Sequence, residues 1–358
     1  MTTLTPFDVP LDLSGLRKQI DTALDHYLTV RAYTTQIENL PPLPLEVLRD
    51  FVFAGGKRIR PLMCVLGWHA ARGQGDGAPV IRAAASLELF HAFALIHDDI
   101  MDRSDTRRGR PTVHRDLAQR HRHRADPERF GQGAALLLGD LALAFAQEML
   151  DGAGLSPAQL AAALPTVDAM RIAVIYGQYM DLDTAEQLTG DVARALAVIR
   201  YKTAKYTVEH PLHLGAALAG GGPAVRAALS AYALPLGEAF QLRDDLLGVF
   251  GDPAVTGKPA LDDLREGKRT VLLALALRHA DAEQALTLCR LVGDCALDEE
   301  QAQEVRAVLT ATGARARVEN LISDQQCAAL RALDGAPFPA AALQALREVA
   351  HALTERVS

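Results

Sequence analysis

LELFHAFALIHDDIMD, residues 87–102, decides how this chain folds. Ten largely apolar residues, Leu87 to Ile96, run without a glycine or proline and end in His97 and a cluster of aspartates. Phe93, Ile96 and Ile100 recur at three- and four-residue spacing, the period of a helix that buries most of its surface. Asp98 and Asp102 then stack on one face, roughly 6 Å apart along the axis, while Asp99 points about 100° away. Like charges at that spacing repel and invite a counter-ion. Oxygen-only ligands suit a hard cation such as Mg2+. The rival reading is a solvated helix end, and the apolar residues threaded through the cluster speak against it.

The rest of the chain supports the helical reading. Apolar residues make up 49 % and aromatics only 5 % of 358 residues. Apolar positions repeat at helical spacing over long segments, which predicts an all-α protein. Helices are expected near 12–37, 44–53, 60–72, 78–103, 130–151, 156–182, 190–206, 208–219, 222–250, 268–279, 283–293, 298–312, 314–332 and 339–355. Pro235 interrupts the pattern leading to Asp244, so that helix is expected to start or bend there. Residues 103–129 and 251–267 read as mobile loops, and no interdomain linker stands out, so one large domain, 1–358, is expected.

The net charge of −7 argues against general nucleic-acid binding. Four cysteines without CxxC spacing fit a reducing cytoplasm. No leader pattern opens the chain, and no run of 18 uninterrupted apolar residues suggests a membrane span. The patterns GxxxxGK[ST], HExxH and GxSxG are absent.

Further candidates surround the acidic stripe. Asp244 and Asp245 form a second acidic pair, with Gln241 one turn earlier and Gly248 where a third aspartate of a DDxxD pattern would stand. Lys57, Arg58 and Arg60 follow a glycine pair, and Lys57 and Arg60 share a face if that segment opens a helix. Lysine and arginine suit diphosphate. Arg107 and Arg108 trail the first cluster, His91 lies two turns before Asp98, and Lys202, Thr203, Lys258 and Lys268 complete the set. The run Arg120 to Arg124 reads as a solvated face.

In order and spacing, GGKRIRP (55–61), ELFHAFALIHDDIMDRSDTRRGRPTVH (88–114), GQYMDL (177–182), YKTAKYT (201–207), FQLRDDLLGVFGD (240–252) and GKPALDDLREGKRT (257–270) resemble the trans-isoprenyl diphosphate synthases, or polyprenyl synthetases. The resemblance implies an all-α fold with a deep central cavity, a homodimer, and Mg2+, three ions to a site. It implies that isopentenyl diphosphate condenses with an allylic diphosphate. Asp98, Asp102 and Asp244 would hold metal. Arg107, Lys202 and Lys258 would meet the allylic diphosphate, and Lys57, Arg60, His91 and Arg108 the isopentenyl diphosphate, with Lys268 nearby. Thr203, through its backbone carbonyl, and Gln241 would stabilise the allylic cation. Phe93 and Ala94, five and four residues before Asp98, resemble the pattern of short-chain synthases making geranylgeranyl diphosphate. Farnesyl or longer products are the alternatives. A non-catalytic subunit of a heteromeric synthase is disfavoured by the intact first motif, and a terpene cyclase by GGKRIRP with His91.

Overall fold

The computed structural model describes residues 10–184, 188–251 and 261–355. The elements are α1 (Leu13–Ile37), α2 (Leu43–Phe53), α3 (Ile59–Ala70), α4 (Ala78–Met101), a two-residue hairpin β1 (Thr106–Arg107) and β2 (Arg110–Pro111), α5 (Val113–Arg120), α6 (Pro127–Asp151), α7 (Pro157–Thr184), and α8 (Val192–Val198). A π-helical segment, Ile199–Glu209, leads into α9 (His210–Leu218) and α10 (Pro223–Phe250). Then come α11 (Asp262–Arg265), α12 (Val271–His279), α13 (Ala282–Leu291), α14 (Glu299–Ala311), α15 (Ala314–Ala332) and α16 (Ala340–Thr354). The fold is all-α, as expected.

Two compact units emerge. The first comprises Met1–Thr166, Pro211–Val225 and Phe338–Ala345, the second Val167–His210, Arg226–Pro337 and Leu346–Ser358. In the first, α4 is the centre, packed on α1, α3 and α6. Its residues 83–90 are all buried, so it is enclosed on every side over two turns. In the second, α12 supplies six consecutive buried residues, Val271 to Ala276, to a core shared with α10, α14 and α15. Local chemistry starts these helices where the backbone needs it. Asp12 accepts from the Gly15 N–H and Asp126 from the Arg129 N–H, and Asp281 with Gln284, and Asp298 with Gln301, close capping boxes on α13 and α14.

Two expectations are corrected. Residues 103–129 are not one loop: they hold the hairpin, α5 and the start of α6. Val113, Leu117 and Ala118 form a buried face on α5 while the charges that suggested a loop point outward, and Arg115 ties the segment to Asp105 and Glu128. Pro235 does not begin a helix, because α10 runs through it from Pro223. By length and composition alone, α4, α6 and α7 are apolar enough to cross a membrane, although none holds 18 uninterrupted apolar residues. For α4 that apolarity serves the core, since 67 % of its most apolar window is buried in the protein; the shares for α6 and α7 are 39 % and 33 %.

Candidate active site

In the first unit, the last turn of α4 carries the acidic cluster. Asp99 is 1 % exposed and takes both carboxylate oxygens to Arg107 Nε, at 2.8 and 2.9 Å. Arg107 Nη2 adds contacts of 2.6 Å to Asp99 and 3.5 Å to Asp98. Burial works against the charge on this guanidinium, but Asp99, Asp98 and Asp102 outweigh it and raise its pKa. Asp99 thus anchors the β1 arginine to the helix. Asp98 retains 18 % side-chain exposure, and Asp102 caps α4 with its N–H on the Asp98 carbonyl at 2.8 Å. Arg107, expected at a substrate diphosphate, is committed in large part to these aspartates.

The basic partners gather beside this helix. Gly55 and Gly56 take φ of +99° and +149°, which a side chain would strain. Their loop carries Lys57 before α3, so Lys57 and Arg60 do not share a helix face as the sequence suggested: the helix begins only at Ile59. Arg108 donates to the Gly55 carbonyl and joins the hairpin to this loop. Arg58 plays a different part: it is 6 % exposed and pairs with Asp21 at 2.7 Å and with equally buried Glu88 at 3.1 Å. His91 feels Arg60, Arg108, Arg107 and Arg58 together. Burial first, and then these four cations, hold its imidazole well below the ordinary histidine range, leaving one neutral N–H to donate. A concentration of guanidinium charge against a neutral histidine is what a multiply charged anion requires.

The second unit carries the other acidic pair. The π-helical turn is wedged against glycines: a Cβ at Gly177 would lie 2.3 Å from Lys202 N, and one at Gly237 2.5 Å from Ala204 Cα. That close approach sets Lys202 and Thr203. Lys202 Nζ pairs with Asp181 at 2.5 Å. Thr203 Oγ1 donates to Gln241 Oε1 at 2.8 Å, and Gln241 Nε2 donates to Asp245 at 2.7 Å. Asp244, one residue earlier on α10, is half-buried, whereas Asp245 is 9 % exposed. Burial pushes Asp245 up to about 7, with the like charges of Asp263 and Asp244 adding to the rise against the Gln241 hydrogen bond. Lys258 lies outside the described residues.

Gly248 has a structural reason. A Cβ there would fall 1.7 Å from Asp263 Oδ2 and 2.8 Å from its Cγ. Asp263, on α11, is itself held by Lys268 at 2.8 Å, and Lys268 reaches Glu266 at 3.2 Å. The space of a third motif carboxylate is therefore filled by one arriving from another element. Gly248→Asp, which would complete the common DDxxD pattern, is expected to destabilise the protein by about 1–3 kcal/mol through overpacking. Denaturant titration checks this, and Gly248→Asp combined with Asp263→Gly is expected to recover most of the loss. Unchanged stability in the single variant would show that Asp263 yields freely.

Sequence reasoning missed Asp181, Asp263, and the Arg58–Glu88–Asp21 cluster. Among the described residues, no group of three or more histidine, cysteine or acidic side chains is already gathered to hold a metal ion.

In the first unit, an acidic helix end beside clustered arginines and a histidine is an arrangement suited to phosphorylated substrates. The family model for polyprenyl synthetases matches residues 42–311. The chain is 36 % identical over 268 residues, 74 % of its length and 78 % of the relative's, to a geranylfarnesyl diphosphate synthase of Aeropyrum pernix. It is 33 % identical over 280 residues, 76 % of its length and 80 % of the relative's, to a geranylgeranyl diphosphate synthase of Saccharolobus solfataricus. A solved geranylgeranyl pyrophosphate synthase from Corynebacterium glutamicum, complexed with isoprenyl diphosphate and magnesium, covers 97 % of this chain and 100 % of its own at a TM-score of 0.93 and 44 % identity. The chain belongs to the polyprenyl synthetase family and is a prenyltransferase of the short-chain trans-prenyl diphosphate synthase type.

Proposed function

We propose that this protein condenses isopentenyl diphosphate with an allylic diphosphate to make geranylgeranyl diphosphate, and that it does so as one domain and as a homodimer. The observation that carries the reaction is the pairing, on and beside α4, of half-buried Asp98 and Asp102 with a field of arginines around His91. Lys57, Arg60, Arg108 and His91 bind the diphosphate of isopentenyl diphosphate. Arg107, Lys202, Lys258 and Lys268 add positive charge toward the allylic diphosphate.

Asp98, Asp102 and Asp244 fit Mg2+ by their chemistry: hard carboxylate oxygens, none of them committed to burial as Asp99 is. Bound there, in three ions, Mg2+ would neutralise diphosphate charge as a Lewis acid. Thr203 and Gln241 orient dipoles near the allylic carbon, and Gln241 is itself fixed by Thr203 and Asp245. The allylic C–O bond breaks, the isopentenyl double bond attacks the cation, and the released pyrophosphate takes the proton. Apolar helix faces exclude water, which would otherwise capture the cation.

Chain growth stops at Phe93, with Ala94 beside it leaving more room than a second aromatic would. Phe93→Ala is expected to shift the product at least one isoprene unit longer, read by chromatography after dephosphorylation. An unchanged product would remove Phe93 from the floor. The dimer reading rests on α7, where Ile172, Ile175, Tyr176 and Tyr179 form an exposed apolar stripe, 55–65 % accessible, of the kind a second copy covers.

The reaction is tested by supplying isopentenyl diphosphate, Mg2+ and each allylic primer in turn. Geranylgeranyl diphosphate is the expected main product. A folded protein that extends no primer would overturn the proposal.

A further inference from the structure

His97 stands immediately before the acidic cluster, yet its ring turns toward α6. Nε2 lies 2.9 Å from the Leu136 carbonyl and 3.7 Å from Asp140. A Cβ on Gly139 would come within 2.3 Å of both Cδ2 and Nε2, so the ring occupies a notch that only glycine leaves open. The same ring meets Phe93 edge-on, centroids 4.8 Å apart at 67°. Phe93 in turn packs on Phe90 at 5.4 Å. Residues 90, 93 and 97 share one face of α4. The ring at 93 is therefore held between a buried phenylalanine and a histidine fastened to a neighbouring helix.

We infer that His97, seated in the Gly139 notch, is a positioning residue for product length: it fixes where the Phe93 ring stands. This rests on the reading of Phe93 as the floor of the growing chain. A phenylalanine on a helix has more than one staggered χ1 state, and removing an edge contact frees it to leave its present one. The free energy of one aromatic pair corresponds to about a twofold to tenfold change in such a population.

The test compares product distributions from the full-length protein. His97→Asn keeps a donor for Leu136 but removes the ring. Gly139→Ala keeps the histidine but evicts it. Each is expected to raise the share of product one isoprene unit longer by roughly fivefold. His97→Phe, which restores a ring beside Phe93, is expected to return the distribution toward that of the parent. The double variant Phe93→Ala/His97→Asn should match Phe93→Ala alone, because His97 acts only through Phe93. A general loss of packing would lower turnover without this pattern. If His97→Asn does not fold, Gly139→Ala decides. Parent-like products from folded His97→Asn and Gly139→Ala, alongside longer products from Phe93→Ala, would overturn the inference while leaving the floor intact. Unchanged products from Phe93→Ala would overturn the floor, and the inference with it. No product from the parent protein would instead overturn the proposed reaction.

Discussion

Asp98→Ala is expected to lower kcat by about 10³-fold, the scale of losing a major electrostatic element at a developing charge. The side chain stands in the last turn of α4 with 18 % exposure and meets Arg107 at 3.5 Å, longer than the 2.6 Å Asp99–Arg107 contact, so its removal leaves that clasp in place. The fold should survive, and the variant should melt within a few degrees of the parent. Asp99→Ala would act differently. It would strand Arg107, and stability should fall along with activity. Single-turnover measurement of both variants, beside thermal melts, separates the roles. Near-normal turnover in Asp98→Ala would refute its part in catalysis.

Arg58→Leu is the second large effect, and it falls on stability. Arg58 and Glu88 are each 6 % exposed and 3.1 Å apart. Removing the cation leaves a buried carboxylate without its partner, which destabilises by about 3–5 kcal/mol. Asp21 cannot make up the loss, since it is the other acceptor of the same guanidinium and is 46 % exposed. Arg58→Leu/Glu88→Leu should recover much of the deficit, because an apolar pair in a buried site needs no compensation. Denaturant midpoints measure both. A loss below about 1 kcal/mol in the single variant would mean that water reaches Glu88.

The contrast between Arg58 and its neighbours shows what the sequence could and could not tell. GGKRIRP presents three cations in four positions, and nothing in their identity says which one turns inward. The backbone decides: Arg58 takes φ of +51° at the start of α3, which sends its side chain to Glu88 and Asp21. The acidic end of α4 was legible because charge abruptly ends an apolar run, and only one helix geometry puts Asp99 inward and Asp98 outward. The π-helical turn was not. A shift from i→i+4 to i→i+5 bonding alters no apolar period over so short a span. Gly177 and Gly237, where backbones approach, were its only traces. Asp263 was hidden in a segment that reads as loop, and Gly248 marked only where a motif carboxylate was missing. The α5 helix was missed because its two turns mix charged and apolar residues, and one buried face of four residues, His114 among them, is a weak periodic signal.

In the proposed reaction, ionisation of the allylic diphosphate is coupled to carbon–carbon bond formation with isopentenyl diphosphate. The most direct measurement is pyrophosphate release with Mg2+ and an allylic diphosphate, with and without isopentenyl diphosphate. Release that requires both substrates, with one pyrophosphate for each isoprene unit added, is the expected result. Equal release from the allylic diphosphate alone, or none with both, would contradict the account.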